Sequence, residues 1–487
     1  MPGRNRRSLR YAIIGAGMAG LLAAIRLRER GDEDFVIFEK NPDVGGTWYE
    51  NRYPGLACDV PAHVYTYSFA PNPDWSSSFA PGPEIHAYFR RMAETHGLRG
   101  KTRFSCEVRA CDFIDGRWRI TYDGGFEDAD VVIAATGVLH HPHIPDIPGL
   151  ADFAGPCFHS ARWPEDLDYR GRRVGVIGGG STSVQIVSAL VGSAAHVVQF
   201  CRTPQWVLST PALAYSEEDR AAFVRDPARM EAIRNDPEYL AFTHLFTTAI
   251  IDAQSPEMAQ IEAIARDSLE QGVADPRLRA RLTPDYRAAC KRLVMSGTYY
   301  DKIQDPGATF ENGRIDQIDA GGVTMADGTR HAIDILVLAT GFETDRFVRP
   351  MRVTGTDGRS LDAVWGRRPT AYLAVAMPGF PNFFFLNGPT GPVGNFSLID
   401  IAERQWTYVD QLIDLLRDGR AASVEPTQTA LTHYDEARME AARGTIWASG
   451  CSSWYLDADG VPASWPWSYQ RFVEEMAAPR LADFALC

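Results

Sequence analysis

Two glycine turns carry the clearest chemistry in this chain. Gly15, Gly17 and Gly20 follow the apolar run YAII and open the helical phrase LLAAIRLRERG, and Glu39 closes the next apolar run, FVIFE. Glycine at the first position permits a tight turn, at the second lets backbone approach a pyrophosphate, and at the third lets helix and strand pack closely. The helix start offers unpaired N–H groups to phosphates, and the Glu39 carboxylate can accept hydrogen bonds from a ribose diol. A second turn has Gly178 and Gly180, followed by Ser181 and Thr182, with Ser183 in the third glycine's place. Arg202 lies 24 residues beyond Gly178 (positions 178 and 202), as Glu39 lies 24 beyond Gly15 (positions 15 and 39). One structural position is therefore acidic in one unit and basic in the other. A carboxylate there suits a free 2′-hydroxyl and an arginine suits a 2′-phosphate. The first site then takes FAD or NAD and the second NADPH, which together describe most simply a flavoprotein reduced by NADPH.

The elements that must position these residues follow from periodicity. Residues 11–39 and 173–202 each read as strand, glycine turn, helix, strand, so the fold class is α/β with two Rossmann-like dinucleotide-binding domains. Two further apolar strands end in small residues, VVIAATG at Gly137 and ILVLATG at Gly341. The simplest topology interrupts a first domain (1–145 and 326–487) with a second (146–325). Between Ser216 and Leu293 the composition turns to Ala, Glu, Arg and Asp at helical spacing, a helical insertion over about 211–290. HHPHIPDIPG (140–149) reads as an extended linker, and FPNFFF (380–385) as a buried strand.

Between the two turns come two specific stretches. Residues 45–69, GGTWYENRYPGLACDVPAHVYTYSF, form a glycine, aromatic and proline segment able to wrap a flat ring system, with a buried Asp59 as its acid. It resembles the flavin-contacting segment of class B flavoprotein monooxygenases. FAGPCFHSARWP (153–164) fits F-x-G-x-x-x-H-x-x-x-W-P, the fingerprint of Baeyer–Villiger monooxygenases, through Phe153, Gly155, His159, Trp163 and Pro164. GGGSTSVQ (178–185), CRTPQW (201–206), KRLVMSGTYY (291–300), LATGFETD (338–345) and GCSSWYLDADG (450–460) resemble further stretches of that family.

The resemblance implies FAD in the first site, with Gly46, Thr47, Trp48, Asp59 and Tyr65 at the cofactor. It implies NADPH in the second, with Thr203 and Lys291 joining Arg202 at the 2′-phosphate and Gly341 at the strand tip. Arg292 becomes the active-site arginine, oriented by Asp59, a permanent planar cation suited to a peroxide anion. His159 and Trp163 organise the domain linker. The implied reaction inserts one oxygen atom from O2 beside a ketone carbonyl through a C4a-peroxyflavin. The alternative is N- or S-oxygenation by a flavin-containing monooxygenase using a C4a-hydroperoxyflavin.

Composition limits the rest. The 487 residues carry 49 Lys and Arg against 62 Asp and Glu, a net charge of −13, which argues against a nucleic-acid partner. No apolar run reaches ~18 residues, and the basic leader from Arg4 to Arg10 precedes a glycine turn rather than a cleavage site, so no membrane span and a cytoplasmic enzyme are expected. Eight cysteines without any Cys-x-x-Cys argue against a disulfide framework, a zinc site and a dithiol reductase. Cys58 reads as structural, and His140, His141 and His143, interrupted by proline, hold no metal. The expected partners are a small ketone or other soft oxygenation substrate and molecular oxygen, with the chain a monomer or homodimer.

Overall fold

In a computed structural model, residues 7–394 and 396–487 are described, so Arg4 and Arg6 of the basic leader lie outside them. YAII forms the strand Tyr11–Ile14, buried on both faces, as a central parallel strand must be. It pairs in parallel with Phe35–Phe38 on one side (Tyr11 opposite Phe35) and with Val131–Ala134 on the other (Tyr11 opposite Val131). Thr102–Arg103 and Phe383–Phe385 complete five parallel strands, so FPNFFF does supply a buried strand. A second parallel sheet runs Ala308–Asn312, His196–Cys201, Arg173–Ile177, Ile335–Leu338, Cys157–His159. A separate antiparallel meander, Val108–Ile114, Arg117–Tyr122 and Gly125–Ala129, carries Arg352–Thr354 on its edge.

Both glycine turns meet the tip of the neighbouring strand in the same way. A Cβ on Gly15 would sit 2.5 Å from the Ala135 carbonyl oxygen, and one on Gly178 would sit 2.2 Å from that of Ala339. Both glycines also have positive φ, +104° and +148°, so no other residue fits without strain. The two A-T-G phrases are thus equivalent parts of two sheets. That corrects the expected boundary at 326: Ile335–Leu338 does not resume the first domain but pairs with Arg173–Ile177 and Cys157–His159 in the second sheet. Its apolar sequence is of the same kind as Val131–Ala134, so only the hydrogen-bond register assigns it. Ser183 fills the third glycine position of the second turn without opening it, because its hydroxyl donates to the Gly178 carbonyl (2.8 Å) and accepts from Gln199 (2.9 Å).

The helical insertion comprises Glu217–Arg225, Ala228–Arg234, Pro237–Ile251, Pro256–Gly272 and Pro276–Leu282. Three of these start on a capping side chain followed by proline: Asp236–Pro237, Ser255–Pro256 and Asp275–Pro276. The cap accepts a backbone N–H, and proline lacks the N–H that would go unpaired there. Two short parallel strands, Val207–Leu208 and Val294–Met295, close the insertion at its base. That ladder sets Lys291 and Arg292 beside the end of His196–Cys201, where Arg202 and Thr203 follow.

Gly155 of the fingerprint presses against the start of Ile335–Leu338, where an added Cβ would meet the Asp334 carbonyl oxygen at 2.3 Å. Its φ is not in the left-handed region, so the constraint is space alone. Gly155→Ala should cost about 1–3 kcal/mol by overpacking, read as a lower unfolding midpoint. Gly100→Ala, which meets nothing within 4 Å, should stay within about 0.5 kcal/mol of the parent.

Candidate active site

The first nucleotide site is built on backbone. Glu39 is 4% exposed; one carboxylate oxygen accepts from the Ala16 N–H and the other from the Asn41 N–H, both at 2.8 Å. Burial raises its affinity for a proton, and these two donors oppose the rise. The helix Met18–Glu29 begins at Gly17 with no side-chain cap and no acid in its first turn, leaving its N–H groups to an anion. Gly46 (φ +54°) lies on Gly17, where a Cβ would stand 3.1 Å from the Gly17 Cα. Thr47 starts the short helix Thr47–Glu50, and the Trp48 indole N–H donates to the Tyr65 hydroxyl at 3.2 Å. Gly15, Gly17, Gly20, Glu39, Gly46, Thr47, Trp48 and Tyr65 therefore gather around one glycine turn, an arrangement that fits an adenine dinucleotide.

The second site repeats the pattern with opposite charge. Helix Ser181–Leu190 starts at Gly180, again uncapped, and a Cβ on Gly180 would meet nothing within 4 Å. The cleft there is open to a ligand. Arg202 is exposed at the strand end, and Lys291 lies over the face of Tyr286, 4.5 Å from its centroid. Burial, and then the neighbouring Arg202 cation, pull the Lys291 ammonium below the ordinary lysine value despite Asp285. Among the described residues neither cation has a carboxylate at ion-pair distance. Two unpaired cations side by side fit a phosphate dianion.

Asp59 and Arg292, 233 residues apart, meet between these sites. One Asp59 oxygen accepts from Nε (3.1 Å) and from Nη2 (2.6 Å), while Nη1 donates to the Gly394 carbonyl at 3.1 Å. The Arg292 side chain is 29% exposed and that of Asp59 20%, so Asp59 is half-sheltered rather than buried as expected. Burial alone would lower the Arg292 pKa, but Asp59 and then Tyr455 hold it above the ordinary arginine value, so the group is a fixed cation. The segment carrying Asp59 docks on the second unit. Tyr53 Oη donates to Gln185 Oε1 (2.9 Å), Gln185 Nε2 donates to the Ala57 carbonyl (2.9 Å), and a Cβ on Gly55 would strike the Gln185 carbonyl at 2.7 Å.

The fingerprint residues stand apart from this pair. His159 accepts from the Ala161 N–H at Nδ1 and donates from Nε2 to the Gly341 carbonyl (2.9 Å), so its ring is locked in one tautomer, and burial keeps it neutral. The same Gly341 oxygen accepts from the His143 N–H in the linker. Trp163 packs edge-on against Phe158 and Tyr169, while Phe153 is buried in the second unit. His140 contacts Lys40 and His141 the Arg349 carbonyl. Cys58 is buried, and burial pushes its thiol well above the ordinary range.

Three features escaped the sequence reading. Tyr455 and Gly394 both reach Arg292, and only the resemblance of GCSSWYLDADG pointed toward that loop. Contrary to the expectation of no disulfide, Cys290 and Cys451 are bridged across 161 residues, with Cα atoms 6.2 Å apart. No spacing motif announces a pair so distant; the fold alone brings it together. Removing the Asp59 charge leaves a sheltered guanidinium short of its partner. Asp59→Asn should therefore cost about 1–3 kcal/mol, measured by denaturation at neutral pH, whereas a change of a few tenths would mean the pair is solvated.

Two uncapped glycine turns of opposite neighbouring charge, their units joined by the Asp59–Arg292 pair, fit a two-cofactor oxidoreductase. Residues 12–216 match the pyridine nucleotide-disulphide oxidoreductase family. The chain is 46% identical over 460 residues to an uncharacterized monooxygenase of Mycobacterium tuberculosis (94% of this chain, 92% of that one). It is 39% identical over 487 residues to a Baeyer–Villiger monooxygenase of Streptomyces coelicolor (98% and 92%). Its fold superposes on cyclohexanone monooxygenase from Rhodococcus sp. Phi1 bound to NADP+ with a TM-score of 0.86 at 27% identity, over 98% and 99% of the two chains. The chain belongs to the Baeyer–Villiger monooxygenases, class B flavoproteins. Among the described residues no helix is long and apolar enough to cross a membrane, and no group of three His, Cys, Asp or Glu is placed to hold a metal ion.

Proposed function

We propose that this enzyme inserts one oxygen atom of O2 beside a ketone carbonyl, giving an ester or lactone, at the cleft where Asp59 and Arg292 meet. It uses FAD in the glycine turn of Gly15 and NADPH in that of Gly178. Reduction by NADPH and activation of oxygen are the chemistry these cofactors supply when bound. The chain's own residues do the rest. Glu39 reads the ribose of FAD and rejects a 2′-phosphate there by charge. Arg202, Lys291 and Thr203 take the 2′-phosphate of NADPH. Thr182, beside Tyr53 at the interface, and Ser181 sit at the uncapped helix start that receives its pyrophosphate. His159, through Gly341, fixes the linker against the second strand tip.

Arg292 carries the reading. An arginine has five N–H donors, and Asp59 and Gly394 take three. Two N–H groups are left over on a cation that does not deprotonate, with Tyr455 beside it. Such a group favours an anionic oxygen nucleophile over its protonated form and steadies the oxyanion that forms when a ketone is attacked. Asp59 holds the plane of the guanidinium and offsets the cost of sheltering it. No protein nucleophile is required. A cytoplasmic enzyme acting as monomer or homodimer remains part of this proposal.

The test uses cyclohexanone and a thioether as probes with the holoenzyme. The parent should form lactone at the expense of NADPH and O2. Arg292→Ala should abolish lactone while NADPH still reduces the flavin. Lactone formation by Arg292→Ala at the parent rate, or sulfoxide with no lactone from the parent, would overturn the reading. Arg202→Ala should remove charged hydrogen bonds worth about 1.5–3 kcal/mol, raising KM for NADPH roughly 10- to 150-fold and leaving that for NADH unchanged.

A further inference from the structure

The residues that meet Arg292 do not all come from Asp59's segment. Gly394 offers its carbonyl to Nη1 at 3.1 Å, and the same residue has φ +100° and no side chain. An added Cβ there would lie 2.2 Å from the Tyr455 hydroxyl oxygen. The bare backbone of Gly394 is thus what lets the phenol reach the guanidinium. Tyr455 is 4% exposed, stacks on Trp454 with centroids 4.3 Å apart, and packs against Trp447 at 5.0 Å, so its ring has one place to be. Burial raises its pKa, so the hydroxyl stays protonated beside the Arg292 cation.

The loop that carries Tyr455 is tied down at its other end. Cys451, four residues before Tyr455, is bridged to Cys290, and Cys290 is two residues before Arg292. The same two short segments, 290–292 and 451–455, are therefore joined once covalently and once where the Tyr455 hydroxyl lies beside the guanidinium. We propose that Tyr455 is a positioning residue for Arg292, held at the guanidinium by the Cys290–Cys451 bridge and admitted to it by the missing side chain of Gly394. Asp59 fixes one edge of the cation from the first unit. Tyr455 and the Gly394 carbonyl flank the other. The inference rests on the role of Arg292 given above.

Three measurements on the purified holoenzyme test it. Denatured without reductant, the protein should show six titratable thiols out of eight cysteines; a count of eight overturns the part played by the bridge. Labelling with an arginine-specific dicarbonyl, mapped by peptide mass spectrometry, should modify Arg292 severalfold faster in Tyr455→Phe and in Cys451→Ser than in the parent, with other arginines unchanged. Parent-like labelling of Arg292 in Tyr455→Phe overturns the part played by the phenol. Tyr455→Phe, which keeps the packed ring, should lower lactone formed per NADPH consumed severalfold more than it slows flavin reduction, with the thermal midpoint held. Equal loss of lactone, flavin reduction and thermal midpoint would make Tyr455 merely structural and would also overturn the proposal. If the parent makes no lactone, the oxygenation reading fails while the thiol count and the labelling still decide the clamp.

Discussion

The contact between Asp59 and Arg292 joins what the chain keeps apart. Asp59 belongs to the segment wrapped on the first glycine turn, and Arg292 to the base of the helical insertion in the second unit. A guanidinium sheltered to this degree needs a charged partner and backbone acceptors, because a lone ion in a low-dielectric setting is costly. The pair therefore makes each unit dependent on the other. The docking of Tyr53, Gly55 and Ala57 on Gln185 shows the same dependence, since the loop that presents Asp59 is itself shaped by the second unit's helix. The two glycine turns and the Asp59–Arg292 pair are consequently one arrangement rather than three.

The two nucleotide sites follow from a shared backbone rule. In each, a glycine with positive φ abuts the last carbonyl of a neighbouring strand, Ala135 in one and Ala339 in the other. Once the turn is fixed, the residue after the next strand lies at an equivalent place in both units, and the function proposed above assigns the choice of cofactor to its charge. Glu39 is buried and tied to two N–H groups, while Arg202 is exposed with Lys291 beside it. A carboxylate with its lone pairs aimed by backbone suits two neutral hydroxyls. Free cations at the surface suit a dianion that arrives with its own charge.

Most of this architecture was legible in the sequence because it rests on local rules. Glycine spacing, strand-length apolar runs and the helical periodicity of the insertion act over a few residues, and the structure obeys each. The errors came where locality ends. The strand Ile335–Leu338 reads like Val131–Ala134, and nothing within it says which sheet it joins. The buried state expected of Asp59 gave way to partial exposure, and its partner Arg292 lies 233 residues away in the second unit. Glu39, by contrast, stands where its spacing from the first glycine turn put it, just after Phe35–Phe38 and bonded to the Ala16 N–H of that turn.

The sequence by itself determined two dinucleotide turns, their opposite charge preferences, and the pair of residues whose resemblance marked them for catalysis. Each depends on residue type and short spacing, which the chain carries with it. Tertiary structure decided which strand tip serves which turn, that Cys290 reaches Cys451, and that Tyr455 and Gly394 converge on Arg292. Those outcomes depend on contacts between residues 61 to 163 positions apart, where register and packing, rather than local preference, choose the partner.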